Sequence, residues 1–156
     1  MSTRSTYRVI EKGEYGSKKW ANKLVLLYIQ MDGYPSGHPS EIAEWLASGT
    51  VVNGLGINQK EQLLFNGAGC LAAQLVEKMK DGPGGAYILP IQHRGKCDEE
   101  YVYDIIVDSN TQTIEFIAYY VTSGGYDNKP PRFKKLYSGA PAGFAEWVGN
   151  VYSKQE

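Results

Sequence analysis

A chain of 156 residues with 42% hydrophobic and 21% charged residues has globular composition, which excludes disordered and fibrous classes. Sixteen basic against seventeen acidic residues give a net charge of −1, which excludes generic nucleic-acid binding, because that affinity sums over many neutralised phosphates. The length favours a single domain over 1–156 around one core, and the longest apolar run, Leu24 to Ile29, is too short for a bilayer.

Cys70 and Cys97 lack CxxC spacing, so neither a disulfide framework nor a zinc knuckle is expected. The first six residues carry no apolar core of a secretory signal, which makes the cytoplasm the expected location.

Thr3 to Glu11 reads as a strand rich in β-branched and aromatic residues, with Arg4, Thr6 and Arg8 on one side by the period of two. A charged turn between Gly13 and Gly16 ends at Lys18-Lys19-Trp20. Lys23 to Gln30 is apolar on both faces, the mark of a central, doubly covered strand. Asp32-Gly33 stops it. Pro39 then opens a short helix with Ile42, Trp45 and Leu46 as its stripe and Gly49 as its end.

A longer helix is expected from about Asn58 to Lys80, with a break at Asn66-Gly67 where Asn66 caps the second part. Asp81-Gly82-Pro83 ends it. Ala86 to Gln92, Tyr101 to Asp108 and Thr113 to Val121 read as strands, the last two a hairpin. Thr122 to Pro141 reads as a long loop, and Ala142 to Tyr152 as a final helix. Strands and helices in the order β-β-α-α-β-β-β-α predict an α+β fold on an antiparallel sheet of about five strands.

The motif Gly67-Ala68-Gly69-Cys70-Leu71-Ala72 opens a helix like a dinucleotide fingerprint. Its polar approach, Asn58 to Gln62, and the absence of helical crossovers argue instead for glycine and alanine packing a helix on the sheet. His93, Cys97, Asp98 and Glu99 fit no ligand spacing and read as a mobile, solvated loop. Asp104 and Asp108 read as solvated strand ends. No nucleophile elbow, zinc-protease helix or phosphate-binding lysine loop is present, so neither a cofactor nor catalysis is expected.

Three features point to binding. Arg4, Ser5, Thr6 and Arg8 form a strand of hydroxyl and guanidinium donors suited to phosphate or carboxylate, with edge protection as the structural alternative. The loop carrying Asp32, Tyr34 and His38 leads into a helix N-terminus, where backbone N–H groups favour anions. Antiparallel pairing of the first two strands brings Arg4 toward Asp32, as a structural clamp or as a composite site. Farther on, Arg132 and Lys134 lie among Tyr126, Phe133 and Tyr137 in the long loop, basic and aromatic groups that together cover a phosphate and stack a base.

The opening Met-Ser-Thr-Arg-Ser and the Asp32-Gly33-Tyr34-Pro35 loop resemble a widespread group of small phage and prophage proteins. The small-residue helix Phe65 to Val76, Gly84-Gly85-Ala86-Tyr87 and Glu100-Tyr101-Val102-Tyr103-Asp104-Ile105 extend the resemblance over residues 1 to 120. Gln30-Met31 stands where that group commonly has a histidine-tryptophan pair. The resemblance implies a mobile-element protein acting in bacterial cytoplasm. The expectation is therefore a non-catalytic counter-defence binding protein, holding a small anionic, nucleotide-type ligand or a host protein. Membrane attachment is not expected, and self-association is left open. A nucleotide hydrolase is the remaining alternative.

Overall fold

The structure, a computed structural model, describes residues 2–54, 62–126 and 128–152. Strands β1 (Ser5–Tyr15) and β2 (Lys18–Ile29) form a long hairpin closed by Gly16-Ser17. Gly16 takes φ +63, the positive value that a two-residue hairpin loop demands of its first position. Helix α1 (His38–Ser48) follows, with Pro39 in its first turn. Next come β3 (Thr50–Val52), β4 (Leu64–Asn66), α2 (Gly67–Met79) and β5 (Ala86–Leu89), with a 3₁₀ turn at Ile91–His93. The chain closes with β6 (Tyr101–Asp108), β7 (Thr113–Ser123), β8 (Arg132–Gly139) and α3 (Pro141–Trp147), which continues as a π turn over Val148–Tyr152.

The main sheet has the order β5-β2-β1-β6-β7-β8, and β3 and β4 form a separate two-stranded sheet among the described residues. All neighbours in the main sheet are antiparallel except β1 and β6, which run parallel at its centre. The fold is thus α+β on a mostly antiparallel sheet, as the sequence predicts, with six strands rather than five.

One face of the sheet packs against all three helices. Tyr7, Val9, Leu27, Ile29, Tyr103, Ile105, Val107, Phe116 and Ala118 alternate onto this face and meet Ile42, Leu46, Leu71, Leu75 and Phe144. The opposite face carries Thr6, Arg8, Leu26, Val102, Asp104 and Ile117, and segment 90–100 lies over part of it. Both faces of the end of β2 are buried, Leu26 at 0% and Leu27 at 1% exposure, as its continuous apolar run requires. Its place is nonetheless beside the edge strand β5, and β1 and β6 hold the centre.

Four expectations are corrected. The charged turn at Gly13 to Trp20 is a two-residue turn between strands that continue past the sheet body, because β6 pairs β1 only as far as Lys12. Leu64–Asn66 is a strand where helix was expected, and the part of that helix at 58–61 lies outside the described residues. The long loop over 122–141 contains β8, and Arg132 and Lys134 sit on this edge strand. Segment 93–99 is built into the structure, since Gly95 and Glu99 are buried.

The Gly67-Ala68-Gly69 motif does follow a strand, yet β4 lies outside the main sheet and the βαβ context is missing. Ala68 and Ala72 pack into the core as expected, whereas a side chain at Gly69 would meet open space. Asn66 precedes α2 without capping it by its side chain; its Oδ1 accepts from the Gly54 N–H at 2.7 Å. No described helix is long and apolar enough to cross a membrane.

Candidate functional site

The start of β1 and the loop after β2 do converge. Antiparallel pairing sets Ser5 beside Ile29, and the Gly33 N–H donates to the Thr3 carbonyl at 2.9 Å. Tyr103 donates its hydroxyl to the Gly33 carbonyl at 2.7 Å. The junction is closed rather than hollow. A Cβ on Gly33 would fall on the Ser5 side chain, and Ser5 is fully buried with an unpartnered Oγ.

The period of two splits the donor strand between two environments. Ser5 and Tyr7 face the helices, and Arg4, Thr6 and Arg8 face away. Tyr7 is buried, with its hydroxyl 2.6 Å from His38 Nδ1. Burial, and then the charge of Glu41, raises the Tyr7 pKa, while burial lowers that of His38 to about 4. Both are therefore neutral near pH 7. The Asp32 carbonyl accepts from the His38 N–H at 3.2 Å, and Asp32 holds φ +59 at the turn.

Outside this junction lies a shallow cavity of about 380 Å³ lined by Asp32, Tyr34, Ser36, His38, Ser40, Glu41 and Glu44. Three carboxylates and a neutral imidazole give it a sign opposite to the anion site expected there. Arg4 does not reach Asp32. Its guanidinium is half-exposed and lies 4.0 Å from Asp98.

On the other face, Thr6 Oγ1 donates to Glu99 Oε2 at 3.0 Å. Glu99 also accepts from the N–H groups of Gly95 and Cys97 and from the Cys97 thiol, at 3.0 to 3.1 Å. Burial and this carboxylate push the Cys97 thiol far above its ordinary pKa, so it stays protonated. Asp104 accepts two hydrogen bonds from Arg8, at 3.0 and 2.9 Å, and two from Arg94, at 3.2 and 2.9 Å. Arg94 also lies over the rings of Phe133 and Tyr119. Asp104 is thus a buried anchor for two guanidiniums rather than a solvated strand end. Among the described residues, no three His, Cys, Asp or Glu side chains are placed to hold a metal ion.

Arg132 and Lys134 share the sheet end of Ser5 and Tyr101 but stand three strand spacings from β1, about 14 Å. The nine expected binding residues therefore do not form one recess. Ser5 and Thr6 are interior, Arg8 is tied to Asp104, and Asp32, Tyr34 and His38 border the acidic cavity. Arg4 remains exposed at one place, and Arg132 and Lys134 at another, together on β8.

A group of exposed side chains lies on the arm that β1 and β2 extend past the sheet. Tyr15 is 86% exposed, with Trp20 and Leu24 partly so, beside Lys12, Lys18, Lys19 and Lys23. Trp20 lies across Gly13, where a Cβ would strike its ring. Asn110 pins the arm at both ends of its amide. Its Oδ1 accepts from the Glu14 N–H at 2.6 Å, and its Nδ2 donates to the Glu14 carbonyl at 3.1 Å. A cavity of about 490 Å³ opens between Trp20, Lys12, Lys19, Asp108 and Asn110. This surface escapes a reading of the sequence because two glycines three positions apart, Gly13 and Gly16, suggest a turn that spans them both. Its signal is the pair Gly16-Ser17 flanked by Glu14-Tyr15 and Lys18-Lys19-Trp20.

No family model, no characterised protein and no solved structure matches this chain.

Proposed function

We propose that this protein is a non-catalytic binding protein that acts by contact with another protein, in the setting of a phage or prophage countering a bacterial host from within its cytoplasm. The setting rests on the opening residues, the Asp32-Gly33-Tyr34-Pro35 loop and the Glu100 to Ile105 strand. The single observation that carries the contact reading is the pinned arm, which holds Tyr15, Trp20 and Leu24 out among four lysines. Exposed aromatic side chains on a rigid support are the groups that dominate protein interfaces. The non-catalytic part is supported by the pairing of His38 with Tyr7 and by the protonated, half-buried Cys97 thiol, neither arranged as an activated nucleophile.

Affinity capture from bacterial lysate tests this reading, comparing the protein with a variant altered at the arm tip, Tyr15→Ser with Lys18→Glu. One stoichiometric partner held by the first and lost by the second is expected. A partner held equally by both overturns it.

A second reading, capture of a small anionic nucleotide-type ligand, is favoured by one observation. Arg8 and Arg94 share the single carboxylate of Asp104, which leaves that triad with a net positive charge, and Arg94 is stacked on aromatic rings. Calorimetry against cyclic and ADP-ribose-type nucleotides tests it; heat that disappears in Arg94→Met supports it, and no heat removes it.

A further inference from the structure

The arm offers a partner a backbone edge as well as exposed aromatic groups, and a role for that edge rests on the protein-contact reading of the arm. Strand β5 covers β2 only from Leu26 to Ile29, so among the described residues Lys18 to Val25 is paired on one side alone. The two-residue loop closes on Tyr15 and Lys18, which exchange both of their backbone bonds. Alternation along an antiparallel ladder then places Lys19 opposite Glu14, Ala21 opposite Lys12 and Lys23 opposite Ile10 at non-bonded positions. Lys19, Ala21 and Lys23 consequently turn their N–H and C=O groups away from β1, and none of them bonds to another described loop or turn.

Lysines on an exposed edge commonly protect it against chance pairing. Here they also select a partner. A second copy paired antiparallel about Ala21 would set Lys19 against Lys23 twice, and like charges directly opposite are destabilising. The side chains of Lys19 and Lys23 share one face of the strand, and Lys18, Trp20 and Asn22 share the other. An added strand with acidic residues four positions apart would meet both lysines. Its intervening residues would share the sheet face that carries Trp20, whose ring leans away from the free edge over Gly13. Among the described residues, Lys19 has an ion partner, Glu14 at 3.6 Å, and Lys23 has none; both groups of the Lys19–Glu14 pair are solvated.

We propose that the free edge of β2 from Lys19 to Lys23 takes up an extended acidic segment of a partner protein as an additional β-strand. Backbone bonds from Lys19, Ala21 and Lys23 hold the segment, and its charge pattern is read by the two lysines. The bulge between Val9 and Ile10, which leaves Leu24 without a direct partner on β1, marks the inner limit of this docking edge.

Selection from a displayed random-peptide library on the full chain tests the proposal, followed by anisotropy titration of the synthesised winners. Enriched peptides should carry two acidic residues four positions apart with no proline between them. Their affinity should fall about tenfold or more in Lys19→Glu with Lys23→Glu. It should fall likewise in Ala21→Pro, which removes one outward N–H while Trp20 and Asn22 keep their bonds to β1. Should Ala21→Pro fail to fold, slowed amide exchange at Lys19, Ala21 and Lys23 on peptide binding gives the same reading.

Winners without acidic residues, binding that survives the double lysine reversal, or a stable dimer of the free protein would each overturn it. A host protein captured equally by the double lysine variant would defeat strand addition and leave the contact reading intact. Acidic peptides that behave as expected while no host protein is ever captured would defeat the contact reading alone.

Discussion

Arg94 lies 4.7 Å above the ring of Phe133 while its guanidinium forks onto Asp104, which ties the segment over the open face to the edge strand β8 and the central strand β6 at once. Arg8 approaches the same carboxylate from β1, so one acid side chain joins two central strands and the crossing segment. Burial lowers the Arg94 pKa, and the adjacent Asp104 opposes that shift, which keeps the guanidinium charged.

Removing Asp104 should therefore be among the most damaging single substitutions. Asp104→Ala leaves two guanidiniums facing each other with little solvent access and should cost about 3–5 kcal/mol in urea unfolding. Arg94→Lys keeps the charge and loses both the fork and the ring stacking. It should cost about 1–2 kcal/mol. A loss for Asp104→Ala no larger than that for Arg94→Lys would refute the anchor role.

Acid should weaken the fold through His38. Its pKa is about 4 when folded, against an ordinary 6.5, so the unfolded chain binds the proton first. The stability this contributes is fully present above pH 6.5, declines as pH falls below it, and is gone near pH 4. The integrated effect is about 3 kcal/mol at most. Thermal melting from pH 7 to pH 4 should fall steeply for the native chain and less steeply for His38→Gln. Equal slopes would contradict the buried neutral imidazole.

Tyr7→Phe removes the hydroxyl that meets His38 Nδ1 and leaves a half-buried ring nitrogen without its partner. The expected cost is about 1–2 kcal/mol. His38→Phe added to Tyr7→Phe should cost less than the sum of the two single changes. Strict additivity in a double-mutant cycle would show that the hydroxyl and imidazole do not interact.

Gly33 touches the Ser5 side chain and the Thr3 carbonyl so closely that a methyl group has no room. Gly33→Ala should cost about 2–3 kcal/mol by overpacking. In a Ser5→Gly background the added penalty should shrink by at least half, because the obstructing side chain is gone. A penalty unchanged by Ser5→Gly would place the conflict elsewhere.

Asn110→Ala should release the arm without unfolding the sheet. The two bonds it makes to Glu14 are solvent-exposed, so about 1 kcal/mol of global stability is at stake. The local effect should be larger: amide exchange at Glu14 should rise at least tenfold while that of Tyr103 stays unchanged. Unchanged protection at Glu14 would mean that the arm is rigid without its pin.

Period-two patterning in Ser5 to Val9, Tyr101 to Asp108 and Thr113 to Val121, the doubly apolar run before Asp32 and the proline start of α1 made the α+β class legible from the residues alone. These are local signals, because alternation states which side chains share a face whatever strand lies alongside. The parallel contact of β1 with β6, the strand at Arg132–Gly139 and the pairing of Arg8 with Asp104, 96 positions apart, came only with the tertiary structure. A strand rich in lysine, glycine and proline neighbours gains its stability from the ladder of β7 rather than from its own composition. The same physics divided the amino-terminal donors. Alternation alone predicted that Ser5 and Thr6 face opposite ways, but only packing decided that both sides would be filled, one by Gly33 and the other by Glu99.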